Sequence, residues 1–428
     1  MVRPSLLQRA QSAPQLLALI DQSFLSVGTF STSAIIGRAA GLDALGTFTI
    51  AWMVVLFVNG LQNALVIAPM LSLSPSEAHE RTGYYGHFFA SELRFILVLC
   101  AVGVSCWPVF AYFSPVAASL LPCLSVTTVA FQISDFVRRY AHVLEKPAYA
   151  VIQSVSSTFL QVALLIGLGI SGSLTTPRAL FAISATLFLT SSAVLIALRS
   201  WPQRIVRNPI LERRQWKSAR WLVPSGLMQW TCGNLFIVAA PAYLGIAAAG
   251  AMRASQTLMG VVNIWFQGLE NVMPIRAGRL CRDAGVQHAL RYVVRMAVIW
   301  GMATGVVTVL ASMYARELLH LVYGRDAAQY YWLLRWYAAL NVLMFLGLPV
   351  RSLLRALEQT GGIFAGFLAA SIFSVVAVGP LLTRFGLAGA VAGLIGAQAI
   401  FQCVLLFHAY RCVSDRTVQS GEPLTASL

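Results

Sequence analysis

Val137-Arg138-Arg139-Tyr140-Ala141-His142-Val143-Leu144-Glu145 and Val350-Arg351-Ser352-Leu353-Leu354-Arg355-Ala356-Leu357-Glu358 share the pattern Val-Arg-x5-Leu-Glu at a separation of 213 residues. A second echo, Gly60-Leu61-Gln62-Asn63 and Gly268-Leu269-Glu270-Asn271, recurs at an offset of 208. Two recurrences at nearly equal offset point to an internal duplication, with halves expected at residues 1–205 and 206–428. The surrounding sequence shows what is duplicated. Each echo sits at the end of, or inside, a long apolar run, and the runs fall into two sets of six.

Of the 428 residues 58% are hydrophobic and only 11% charged, with mean hydropathy +0.74. Soluble domains are about a quarter charged, so the expected fold class is an all-α polytopic membrane protein. About 20 apolar residues cross the hydrocarbon, and twelve runs qualify: 14–37, 46–71, 93–113, 116–138, 148–170, 179–198, 221–245, 251–273, 292–314, 330–350, 363–382 and 387–408. Six spans per half is an even number, so both halves enter the membrane in the same orientation. This is the parallel-repeat plan of many transporters. No cleavable leader is expected, because the first run is long and carries Asp21.

The net charge is +15, from 30 basic and 15 acidic residues. With both termini in the cytoplasm, 23 basic residues face inward, leaving only Arg38, Arg178, Arg253, Arg316, Arg325, Arg335 and Arg384 on the other side. That bias orients the chain and accounts for the charge without a nucleic-acid partner. The stretch 199–220 carries seven basic residues and reads either as a topology anchor or as a surface helix touching anionic headgroups. The seven cysteines have no metal-ligand spacing and read as small apolar packing residues. The six histidines form no HxxxH, and neither lysine belongs to a phosphate loop. The outer loops are short, so neither a cofactor nor an enzyme active site is expected.

Polar groups in hydrocarbon are costly and mark interiors or wet cavities. Along span 8, Arg253, Gln256, Asn263, Gln267, Glu270 and Asn271 fall within roughly 100° of an ideal helix. Span 1 carries Asp21, span 2 carries Asn59, Gln62 and Asn63, and span 4 carries Gln132, Asp135, Arg139 and His142. Asp21 and Glu270 are the carboxylates that could take a proton or sodium ion; the alternative is a salt bridge inside the bundle. Arg335 lies among Tyr330, Tyr331, Trp332, Trp336 and Tyr337 and is either a cavity group or an interfacial anchor. Gly389, Gly393 and Gly396 permit close helix contact, read as internal packing.

The opening Asp21-Gln22, the segment Ile35-Ile36-Gly37-Arg38-Ala39-Ala40-Gly41-Leu42 to Leu45-Gly46, and Phe136 through Pro147 resemble polysaccharide-biosynthesis flippases. These O-antigen-type proteins move lipid-linked oligosaccharides and belong to the multidrug, oligosaccharidyl-lipid and polysaccharide exporter superfamily. The likeness runs from about residue 14 to 410. It implies a V-shaped pair of six-helix bundles in a bacterial inner membrane. The implied substrate is a polyprenyl-pyrophosphate-linked sugar unit, moved between leaflets by alternating access. Arginines suit bidentate contact with pyrophosphate; Arg253 is the leading candidate, followed by Arg335, Arg139 and Arg38, with Gln256, Asn263 and Gln267 for sugar hydroxyls. Multidrug efflux coupled to a cation is the alternative within the superfamily, and a membrane glycan transferase or polymerase is the alternative outside it.

Overall fold

The computed structural model describes residues 6–73, 80–113, 115–198, 208–357, 359 and 361–420, and every regular element among them is helical. The order is α1 (Leu6–Gln62), a π-helical turn (Asn63–Ile67), α2 (Ala68–Ser72), α3 (Glu80–Phe113), α4 (Pro115–Val143), α5 (Pro147–Ile170) and α6 (Thr176–Leu198). It continues with α7 (Pro209–Leu244), α8 (Ile246–Met259), a 3-10 turn (Gly260–Val262), α9 (Asn263–Ala284), α10 (Val286–Met313), α11 (Ala315–Tyr323), α12 (Arg325–Ala328), α13 (Tyr331–Ala356) and α14 (Gly361–Ser420). Helices dominate because hydrocarbon offers no partner to a backbone N–H or C=O, and a helix satisfies both within itself.

Among the described residues eight helices are long and apolar enough to cross a membrane. Two of them, Ile20–Ser72 and Gly361–Cys412, each carry two of the expected spans, because at 1.5 Å per residue they far exceed about 30 Å of hydrocarbon. The bends lie at Gly41 (φ 84°, ψ 178°) and Gly386. Spans 7 and 8 run on α7 and on the α8–α9 pair, which are not among the eight: α8 has only 14 residues, and α7 and α9 carry many polar residues. The junction of α7 and α8 is Gly245 (φ 84°, ψ 163°), nearly the same backbone state as Gly41. Only glycine adopts that region without strain, so the same turn joins spans 1 and 2 and spans 7 and 8.

The chain packs as two compact units, Met1–Leu227 and Met228–Leu428. Their boundary falls inside α7, whose first turns belong to the first unit. Asn208 starts this helix: its Oδ1 accepts from the N–H of Ile210 and Leu211 at 3.0 and 3.3 Å, and Pro209 occupies the first helical position. Gln215 Nε2 then donates to the Leu65 carbonyl at 2.7 Å, His87 Nε2 lies 2.9 Å from Gln215 Oε1, and Glu212 pairs with Arg94 at 3.1 Å. Within the stretch 199–220, residues 199–207 lie outside the described residues, and the rest is the docked start of α7.

In the first unit Val66, Ile67, Met70, Tyr84, Phe88, Phe136 and Tyr140 form a buried core around the π-helical turn. In the second, Val262, Phe266, Leu269, Met273, Val293, Phe345 and Leu348 pack together. Gly393 on α14 lies so close to the Phe236 ring on α7 that any Cβ would collide with it, so this glycine serves the expected internal contact. Exposed apolar residues follow helical spacing on the opposite faces. Met302, Val306, Val309 and Met313 on α10 form such a stripe, the mark of a lipid-facing surface. The cysteines are free; Cys232 is buried, whereas Cys100 and Cys403 are exposed.

Candidate functional site

Each unit carries buried polar groups among its described residues. In the first, Arg138 on α4 is 9% exposed and Asp21 on α1 is 3% exposed. Arg138 Nη1 donates to Asp21 Oδ2 at 2.8 Å, and Nη2 binds Asp135 one turn earlier on α4. The Ser154 hydroxyl on α5 donates to the other oxygen of Asp21, and His142 Nε2 lies 3.7 Å away. One guanidinium thus ties α1 to α4 and is matched by two carboxylates, the condition for tolerating charge at low dielectric. Arg139, one of the expected substrate groups, sits half-exposed with its Nε 3.5 Å from Asp135 Oδ1.

The network continues into the second half of α1. Asn59 Nδ2 lies within 3.3 Å of Gln132 Oε1 and of Asp135 Oδ2. Gln62 Nε2 donates to Glu92 Oε1 on α3 at 2.7 Å and to the Gln132 carbonyl at 2.9 Å. The next residue begins the π-helical turn, a feature frequent at functional sites. Glu92 is 4% exposed, and its Oε2 has no hydrogen-bond partner among the described residues.

In the second unit the dominant group is Arg253 on α8, 8% exposed. Its Nη1 donates to Gln256 Oε1 at 3.1 Å, its buried Nε has no acceptor, and no carboxylate among the described residues pairs with it. The phenols of Tyr323 and Tyr337 are its ionisable neighbours. Tyr337 is 2% exposed, and its hydroxyl has no partner among the described residues. A buried cation and an unused donor therefore lie together, which suits an anionic or hydroxyl-bearing guest.

Farther along the same span, Glu270 on α9 lies 3.2 Å from Arg355 Nη2 and 3.7 Å from Arg351 Nη1, both on α13. Gln256 is half-buried and Gln267 exposed; the side chains of Asn263 and Asn271 lie outside the described residues. The 3-10 turn at Gly260–Val262 advances about 120° per residue in place of about 100°, so its three residues rotate the later part of the stripe by roughly 60°. The ideal-helix sector is therefore split into a stretch around Arg253 and a stretch around Glu270. Arg335 is exposed, donates to the Ser312 carbonyl at 3.1 Å and lies 5.1 Å over the Tyr331 ring, the geometry of an interfacial anchor. Arg38 is exposed at the end of the first half of α1.

Three contributors escaped the sequence. Glu92 lies just before the expected start of span 3, because nearby charges depress hydropathy there; the aromatic spacing Tyr84, Tyr85, Phe88, Phe89 was the available signal for an earlier start. Arg138 stood out as a motif residue but not as the partner of Asp21. Tyr337 read only as part of an aromatic belt.

No protein-family model matches the sequence, and no curated protein does. Solved structures do resemble the fold. A multidrug resistance MATE family transporter of the MOP superfamily, inward-facing, is similar with TM-score 0.72 at 12% identity, over 93% of this chain and 98% of that one. The lipid II flippase MurJ in an inward closed conformation is similar with TM-score 0.67 at 11% identity, over 92% and 87%. A MOP superfamily transporter from Pyrococcus furiosus gives 0.61 at 12%, over 93% and 94%. The chain is an all-helical, multi-pass membrane protein with the fold seen in these transporters.

Proposed function

We propose that the protein moves a polyprenyl-pyrophosphate-linked oligosaccharide, such as an O-antigen, exopolysaccharide or capsule repeat unit, from the cytoplasmic to the periplasmic leaflet of a bacterial inner membrane by alternating access. In this reading residues 1–205 and 206–428 are the two six-helix bundles, and both termini are cytoplasmic. The single observation that carries it is Arg253, a buried guanidinium with no carboxylate partner among the described residues. Its unused Nε and the Tyr337 hydroxyl supply donors for phosphate or sugar oxygens. Two phosphate charges moving outward gain roughly 4.6 kcal/mol per 100 mV of an inside-negative potential, a driving force that needs no nucleotide. Asp21 and Glu270 each face arginines, so coupling to a proton or sodium ion at either begins with the breaking of an ion pair.

Cation-coupled drug efflux is the second reading, favoured by Glu92, a buried carboxylate without a guanidinium partner among the described residues. Leaflet transfer in proteoliposomes separates the two readings. A fluorescent polyprenyl-pyrophosphate saccharide is compared with a lipophilic cation, for the wild type and Arg253→Ala. Saccharide transfer lost with Arg253 is the expected result. Cation export without saccharide transfer overturns the flippase reading in favour of efflux.

A further inference from the structure

We propose that Arg351 and Arg355 form a capture site for the phosphate headgroup at the inner end of the second unit, occupied by Glu270 as a built-in competitor until the headgroup displaces it. The inference rests on the pyrophosphate-linked substrate proposed above and adds a second, separate position to it. Both guanidinium groups approach one atom, Glu270 Oε1, at 3.2 and 3.7 Å. Two cations converging on one oxygen mark a place where a phosphate oxygen fits equally well. A phosphate group offers more acceptor oxygens and at least as much charge as a carboxylate, and guanidinium forks match it bidentately.

Charge and hydrogen bonding are both incomplete there. Arg351 and Arg355 are four residues apart on one helix, where like charges repel, and a single carboxylate leaves the trio at net +1. Arg351 Nε is buried with no acceptor among the described residues. The side chains of Arg351, Arg355 and Glu270 remain 20%, 42% and 29% accessible. Arg138 and Asp21, at 11% and 4%, are sealed by comparison. The pair of arginines is thus open to a headgroup, and the carboxylate that fills it is free to swing away.

Position supports a sequence of steps. Glu270 lies 17 residues beyond Arg253 on the same span, about 25 Å along a helix axis. Guanidinium groups therefore stand near both ends of one membrane crossing, the inner pair where the inward bias of basic residues places the cytoplasm. The inner pair receives the phosphates first, and Arg253 holds them near the far end of the crossing.

The test is calorimetric titration of inorganic pyrophosphate into the purified full chain in detergent, for the wild type, Glu270→Gln and Arg355→Gln. Removal of the competitor in Glu270→Gln is expected to tighten binding roughly tenfold, and Arg355→Gln to weaken it by a similar factor, the scale of one charge-assisted hydrogen bond. Unfolding midpoints control for integrity. Should Glu270→Gln fail to fold, Glu270→Asp withdraws the carboxylate by one methylene and is expected to tighten binding by a smaller factor. Unchanged or weaker binding in a folded Glu270 variant overturns the capture site. Absence of pyrophosphate binding in the wild type and Glu270→Gln, with saccharide transfer intact, sinks only this inference. Absence of both binding and saccharide transfer sinks the substrate reading as well.

Discussion

Arg138 and Arg253 are almost equally buried, at 9% and 8% exposure, yet the first meets two carboxylates and the second none among the described residues. Burial costs both cations their hydration, several kcal/mol each. Arg138 recovers that cost inside the protein, through Asp21 on α1 and Asp135 on α4. Among the described residues Arg253 recovers only what one Gln256 oxygen supplies. The lesson is that burial alone does not identify a working group. A buried charge already matched by its neighbours holds helices together, whereas under the proposed function an unmatched one serves a guest that comes and goes.

The hardest blow to this contrast is Arg138→Gln. Asp21 and Asp135 then lose the guanidinium they share, and a loss of about 3–5 kcal/mol is expected, read from chemical unfolding in detergent. A small loss would mean that the first unit is not held by its ion network. Arg253→Gln should go the other way, with unfolding free energy unchanged or raised and saccharide transfer reduced roughly ten- to hundredfold. If it destabilises as Arg138→Gln does, Arg253 is structural and the comparison collapses.

Finer probes sharpen the picture. Ser154→Ala removes one hydroxyl from Asp21 and should cost about 1 kcal/mol, the scale of hydrogen bonds between helices in lipid, without altering transfer in the proteoliposome assay. Arg335→Gln loses a contact with the Tyr331 ring and should cost about 0.5–1 kcal/mol, again with transfer intact. Strong inhibition of transfer by Arg335→Gln would move that residue from anchor to cavity.

Hydropathy made the apolar crossings legible, because lipid demands long apolar runs whatever they face. Arg253 was legible for the same reason: a charge inside residues 251–273 stands out against its surroundings. Pairing was not. Asp21 and Arg138 are separated by 117 positions, and no local pattern says which helix faces which. Glu92 was lost at a boundary, since α3 begins at Glu80, well before its apolar run. The rotation of the span 8 stripe depends on three residues adopting a 3-10 turn, a departure that periodicity counting assumes away.

The π-helical turn at Asn63–Ile67 amounts to a helix that has absorbed one residue too many without breaking. Delete a residue there, and the ladder closes into an ordinary α-helix while Val66, Ile67 and Met70 keep their seats against Tyr84 and Phe88. Everything upstream turns by about 100°. Asn59 and Gln62 swing away from Asp135 and Glu92, and the polar interior of the unit comes apart with no polar residue altered. The first unit's chemistry is in this sense a matter of counting, and a single-codon deletion is a sharper tool against it than many substitutions.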